Sequence, residues 1–192
     1  GANALTKGIA ELIGAIPVVT TSSDVNGKIA IDVFAQKNDL VISSMKQAKI
    51  CASKIVSGET VSFSCDSKVM GKIPSELSFD KKSAKFHVIV SPYLKNPAND
   101  ILHLIPKVFV LGIGCKKGTP VEIIESRVKE ELDKKYIDIR SIKAMGTIDL
   151  KRNETGLIDF AAQKKIPLHF FSAEELSLLE GDFTPSKFVS QI

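Results

Sequence analysis

The stretch Val108-Phe109-Val110-Leu111-Gly112-Ile113-Gly114-Cys115-Lys116-Lys117-Gly118-Thr119-Pro120 decides how this chain is read. Its leading apolar run predicts a buried parallel strand. Gly112, Gly114 and Gly118 then permit a tight turn with the backbone exposed at close range. Thr119 is placed as N-cap, Pro120 as the first helical residue and Glu122 as the N3 partner of a capping box. Lys116 and Lys117 stand where the new helix points its unpaired N–H groups. Strand, glycine turn, paired cations and helix N-terminus together make an anion site, so carboxylate or phosphate is the expected ligand chemistry. The alternative is a turn built for close packing, with solvated lysines. Nucleotide motifs fit poorly. Lys117 takes the third glycine position of G-x-G-x-x-G, and Lys117-Gly118-Thr119 reverses the order a Walker A loop needs.

Outward from this stretch, the C-terminal part alternates. A helix over 120–134 presents Val121, Ile124, Val128 and Leu132 on one face, and a strand follows at 142–148. A helix over 154–164 buries Leu157, Ile158, Ala161 and Ala162, with Asn153 as its N-cap. A strand at 167–171, with His169 packed in its core, leads to a second capping box at Ser172-Ala173-Glu174-Glu175 and a helix to Leu179. Strands separated by helices imply parallel pairing through right-handed crossovers. The fold class is α/β. A mainly parallel C-terminal sheet flanked by helices is preceded by a smaller α/β segment and a middle region.

Towards the N-terminus, the opening residues look like an interior start, with a helix on Leu5, Ile9, Leu12 and Ile13 closed by Gly14. A strand at 16–20, an Asn26-Gly27 turn and a short continuation at 30–33 follow. A long helix is expected over 40–56, ended at Gly58, and strands at 61–65 and 86–90. Pro92, Pro97 and Asn99-Asp100 break regularity before a boundary near Pro106. The expected domains are 1–38, 39–106 and 107–192.

The 192 residues carry a net charge of +4, with 44% hydrophobic and 25% charged residues, an ordinary soluble balance. No arginine block or aromatic ladder accompanies the charge, which excludes a nucleic-acid binder and suits a small acidic ligand. No apolar run reaches the ~20 residues of a membrane span, and no secretory signal opens the chain. The three scattered cysteines read as reduced thiols of a cytoplasmic protein, and the three scattered histidines give no metal spacing.

Ligands of open parallel sheets bind beyond the carboxyl ends of the strands. Three ends carry chemistry: Gly114, Cys115, Lys116, Lys117, Gly118 and Thr119; Asp149, Lys151 and Asn153; Ser172, Glu174 and Glu175. Asp149 is either a general base or a structural partner of Lys151. Glu174 is a second acidic candidate, while Ser172 and Glu175 read as capping partners. Cys115 is either an activated nucleophile or a loop thiol with no covalent role. Thr21 and Asp24 form a separate polar cluster or a turn.

These motifs converge on a known family. Gly1-Ala2-Asn3 with Pro17-Val18-Val19-Thr20-Thr21-Ser22-Ser23-Asp24-Val25-Asn26-Gly27-Lys28 resembles the end of the N-terminal domain of the CbiG family. Val110 through Pro120 resembles the start of its C-terminal domain. Ile148-Asp149-Leu150-Lys151 with Glu154-Thr155-Gly156-Leu157, Pro167 through Leu176 and Pro185-Ser186-Lys187-Phe188-Val189 continue it in order. The resemblance implies a longer family chain, with a Ser-Gly-His-type stretch before Gly1 and more residues after Ile192. It further implies the cobalt-precorrin-5A hydrolase reaction of anaerobic cobalamin biosynthesis. In that reaction the ring A δ-lactone is opened and acetaldehyde released, giving cobalt-precorrin-5B. The substrate is then a tetrapyrrole rich in acetates and propionates, and the cobalt travels with it, so no cofactor is expected. Thr21, Asp24, Gly114, Cys115, Lys116, Lys117, Gly118, Thr119, Lys151 and Ser172 are the expected substrate-binding residues, with Asp149 and Glu174 catalytic. Other cobalamin-pathway enzymes are possible partners. The alternatives are corrinoid-binding domains that serve an upstream domain or a partner methyltransferase, and a nucleotide-binding regulator.

Overall fold

A computed structural model describes residues 2–17, 30–66, 73–74, 76–80, 84–94 and 98–178. They fall into two units, Gly1–Lys107 with Tyr136–Ser141, and Val108–Lys135 with Ile142–Ile192. Both units are α/β; the parallel sheet expected of the C-terminal part forms in the second, and the first has a mainly parallel sheet of its own. Thr21, Asp24 and the motif at 185–189 lie outside the described residues, as do the turn at 25–28 and most of the strand expected at 16–20.

In the first unit, helix α1 (Ala2–Ile13) ends before Gly14, and α2 (Ile31–Lys37) follows where only a short continuation was expected. Ile31, Phe34 and Ala35 give α2 a buried face. The expected helix over 40–56 divides. Leu40–Ile42 is strand β1, and helix α3 runs Met45–Ser57. β-Branched Val41 and Ile42 favour a strand, and they pair antiparallel with Ile105 and Leu104. Ser44 then starts the helix as N-cap, its hydroxyl accepting the Gln47 N–H at 3.3 Å. Gly58 ends it with φ +80°.

Strands β2 (Val61–Cys65) and β4 (Phe86–Val90) form as expected, and β3 is the short Leu77–Ser78. Ile101–Pro106, expected as irregular chain, is strand β5, parallel to β4 and antiparallel to β1. The sheet order is β1-β5-β4-β2-β3. Phe63, Val88 and Leu102 join Phe34 and Ile55 in its core. A later piece of chain completes this unit. Asp138 donates its N–H to Pro92 O at 3.0 Å, and Tyr93 forms a single antiparallel bridge with Ile137.

In the second unit, β6 (Phe109–Gly112), β7 (Ile142–Ile148) and β8 (Leu168–Phe171) make a parallel sheet in the order β6-β7-β8. The crossovers are α4 (Val121–Lys134) and α5 (Thr155–Lys164), which pack against each other. Helix α6 (Ala173–Ser177) follows β8. Ile124, Val128, Leu132, Met145, Leu157 and Phe160 are buried. The opening strand is not fully buried as expected: β6 lies at the sheet edge and Val110 is 69% exposed. Side chains alternate between faces along a strand, so β6 and β8 bury one face each. His169 falls on the outer face and is exposed rather than packed. On α5, Phe160 takes the buried place expected of Ile158 and Ala162, both of which are exposed.

Candidate functional site

Because β6, β7 and β8 are neighbours and all parallel, their carboxyl ends open on one edge. That edge collects Gly114 to Thr119 after β6, Asp149 to Asn153 after β7, and Ser172 to Glu175 after β8. Two hydrogen bonds tie the first two loops at their base. Ile113 donates its N–H to Gly146 O at 3.0 Å, and the Thr147 hydroxyl donates to Ile113 O at 2.7 Å.

The glycine turn differs from its sequence reading in two ways. First, no Thr119–Glu122 capping box forms. Pro120 is the N-cap of α4, no side chain caps the helix, and the Thr119 hydroxyl donates to Lys116 O at 2.8 Å. Pro120 itself stands outside the helix, at φ −61° and an extended ψ of 150°, where Thr119 was expected to turn the chain. Second, the turn already holds a carboxylate of the protein. Gly118 donates its N–H to Glu154 Oε2 at 2.8 Å, and Glu154 Oε1 lies 3.5 Å from Lys151 Nζ. Gly118 sits at φ +72°, a conformation glycine adopts without strain. Lys116 and Lys117 remain exposed, and Cys115 is half-buried.

At the second end, Asp149 opens a single helical turn, Asp149–Lys151, and is half-buried. Lys151 turns to Glu154, not to Asp149, the pairing that was one of the two alternatives for that acid. Glu154 also displaces Asn153 as N-cap of α5, without a side-chain cap. The Arg152 guanidinium lies 5.3 Å from the centre of the Phe170 ring, joining this loop to β8. At the third end, Ser172 and Glu175 make the expected capping box: the Ser172 hydroxyl accepts the Glu175 N–H at 3.1 Å, and Glu175 accepts the Ser172 N–H at 2.7 Å. The Glu174 carboxyl is held below its ordinary value, first by a backbone N–H and then by the Ser172 hydroxyl. That favours the ionised form of Glu174.

Glu154 was visible only as a helix start, since nothing local links it to a glycine 36 positions earlier. Its role is a built-in counter-charge for the turn. The edge thus presents exposed lysines around a partly occupied N–H cradle, with Asp149 as a second carboxylate within the same set of loops. Such a surface offers cations for an acidic group and a carboxylate for proton transfer. No group of His, Cys, Asp and Glu able to hold a metal ion occurs among the described residues.

Comparison with known proteins gives this arrangement a family. A family model described as cobalamin biosynthesis central region matches residues 29–106, and one described as cobalamin synthesis G C-terminus matches residues 109–192. A cobalt-precorrin-5A hydrolase of Salmonella typhimurium is 32% identical over 203 residues, covering 98% of this chain and 57% of its own length. A second, from Priestia megaterium, is 28% identical over 197 residues, covering 92% of this chain and 52% of its own. The chain therefore spans little more than half the length of these curated relatives. A crystal structure described as a cobalamin biosynthesis protein G homologue from Sulfolobus solfataricus aligns with TM-score 0.37 and 18% identity, over 97% of this chain and 55% of that one. With both family models met in order along its length, the chain belongs to the cobalamin synthesis G (CbiG) family.

Proposed function

We propose that this chain carries part of a cobalt-precorrin-5A hydrolase, and that the C-terminal edge holds its tetrapyrrole substrate. The observation that carries the reading is that the turn with Lys116 and Lys117 and the turn with Asp149 follow the carboxyl ends of adjacent parallel strands. The hydrolase names of the curated relatives support it. Acetate and propionate arms meet the exposed lysines. Asp149 takes a proton from water as the oxygen attacks the lactone carbonyl, and the lysines stabilise the developing oxyanion. The ring-opened product carries a carboxylate and a free hydroxyl. Removal of the hydroxyl proton breaks the adjacent carbon–carbon bond. Acetaldehyde leaves, and the bonding electron pair returns to the macrocycle, where a proton is taken up.

A second reading has its own support. Glu154 already fills part of the cradle, and about half of each curated relative lies outside this chain. On that reading these units only bind the corrinoid intermediate, for an upstream domain or a partner methyltransferase. Acetaldehyde release separates the two. In the full-length protein, Asp149→Asn abolishes release and leaves substrate binding intact if Asp149 is the base. Undiminished turnover assigns the chemistry elsewhere.

A further inference from the structure

The chain holds three arginines, and two of them are taken up by carboxylates a few residues away. Arg127 Nη1 donates to Glu130 at 3.0 Å, and Arg140 donates to both oxygens of Asp138 at 2.9 and 2.7 Å. Arg152 differs. It is exposed, and among the described residues its guanidinium donates to no oxygen. Its interaction is with the Phe170 ring, whose centre lies 5.3 Å away.

The backbone fixes where this arginine stands. Arg152 ends the single helical turn after β7 and donates its N–H to Asp149 O at 2.9 Å, while Glu154 donates to Lys151 O at 3.1 Å. The side chain then reaches β8, where Phe170 is the register partner of Thr147 on β7. A ring at this distance attracts the cation and leaves its N–H groups free to meet oxygen. It also narrows the rotamers of a long side chain, so less freedom is lost when a ligand binds.

The neighbouring lysine is already engaged. Lys151 was expected to bind substrate, but its Nζ lies 3.5 Å from Glu154, the carboxylate that also accepts the Gly118 N–H. Of the two cations on this turn, Arg152 is therefore the one left open to a ligand among the described residues. It shares the turn with Asp149, and exposed Lys116 and Lys117 follow the adjacent strand. A guanidinium offers a planar fork that fits both oxygens of a carboxylate, which an ammonium cannot do.

We propose that Arg152, aimed by Phe170, clamps one acetate or propionate carboxylate of the tetrapyrrole and so sets its register against the turn that carries Asp149. The inference rests on the substrate reading of the C-terminal edge, and it gives Arg152 a positioning role. Cobyrinic acid, a cobalt corrinoid with free carboxylates, and cobinamide, in which amides replace them, are the probes. In the ¹⁵N-labelled protein cobyrinic acid shifts the Nε signal of Arg152 and leaves those of Arg127 and Arg140 in place. Arg152→Gln weakens cobyrinic acid about tenfold, with cobinamide affinity and thermal midpoint unchanged. Arg152→Lys keeps the charge without the fork and stays within about threefold of Arg152→Gln. Phe170→Leu keeps both and loses the aim, weakening cobyrinic acid about threefold. A stationary Arg152 signal overturns the proposal, as does equal loss of acid and amide affinity in Arg152→Gln, or full affinity in Arg152→Lys or Phe170→Leu. The substrate reading fails separately. Weaker binding by Lys116→Gln/Lys117→Gln with a stationary Arg152 signal keeps the edge and rejects the clamp. A moving Arg152 signal with undiminished acetaldehyde release by Asp149→Asn keeps the clamp and rejects Asp149 as the base.

Discussion

Glu154 reaches back 36 residues to accept the Gly118 amide at 2.8 Å, so the glycine turn is neutralised by the protein itself before any ligand arrives. A charge-assisted bond of this kind, on a side chain only 11% exposed, contributes more than a surface pair. Glu154→Ala is expected to lower the stability of the second unit by about 1–2 kcal/mol, read as a shift in urea midpoint. It also frees the Gly118 amide and Lys151. Citrate should therefore stabilise Glu154→Ala more than the wild-type protein. Equal responses to citrate would mean that the carboxylate does not compete with ligand anions.

Two residues after Glu154, Gly156 lets α5 start directly against the turn. A Cβ placed there would lie 2.2 Å from the Thr119 carbonyl oxygen and 3.1 Å from the Val121 nitrogen. Those neighbours are backbone and cannot swing aside. Gly156→Ala should cost about 3 kcal/mol, although alanine is the better helix former. A thermal midpoint at or above the wild-type value would show that the helix start shifts freely.

Asp138 predicts an acid-sensitive first unit. Burial by itself raises its carboxyl pKa, but hydrogen bonds from Arg140 outweigh that and hold it below the ordinary 3.8. A depressed value means that the native state favours the carboxylate. This stability is present above pH 3.8 and is lost as the pH falls through the still lower native value. The wild-type protein should lose stability steadily below about pH 4. Asp138→Asn should be less stable at pH 7, yet flatter across the acid range. Parallel acid profiles for the two proteins would remove the pair as the cause.

How much was legible follows from which interactions are local. The second unit read well because α4 and α5 are amphipathic and its strands follow one another in order, so sequence neighbours are spatial neighbours. Its opening strand was expected to be buried because apolar content does not reveal edge position. In the first unit, β1 was hidden because Leu40, Val41 and Ile42 also fit helical spacing. Only their pairing with Leu104, Ile105 and Pro106, about sixty residues on, decides for a strand. β5 was masked by the prolines and the Asn99-Asp100 turn on its flank. The same limit applied to sites. The Ser172–Glu175 box spans four residues and was read correctly. Glu154 on Gly118, and Arg152 on Phe170, are products of folding with no short-range mark.

The cysteines differ in reactivity for a physical reason. Cys51 is fully buried on α3, and loss of hydration pushes its thiol up to about 12. The thiolate is the reactive form. At pH 8, a thiol reagent should modify half-buried Cys65 and Cys115 in the native protein and reach Cys51 only after unfolding. Mass spectrometry of the labelled peptides reads this directly. Rapid native labelling of Cys51 would reveal local opening of α3.

The lysines of the C-terminal edge give the sharpest test of the substrate reading. Lys116 and Lys117 are exposed and lie beside the α4 N-terminus, where a carboxylate gains from both charge and dipole. Neither is used by the ion pairs of the described residues. Removing both should therefore leave folding nearly unchanged while weakening a polycarboxylate ligand. Lys116→Gln/Lys117→Gln is expected to reduce binding of cobyrinic acid about tenfold, 1.4 kcal/mol, with the thermal midpoint unchanged. Since these contacts face water, added salt should weaken wild-type binding and narrow the gap between the two proteins. Glu122 in the first turn of α4 competes for the same dipole. Glu122→Gln should then shift affinity the opposite way, upward by a few-fold. Affinity insensitive to all three charges would place the macrocycle elsewhere on the protein.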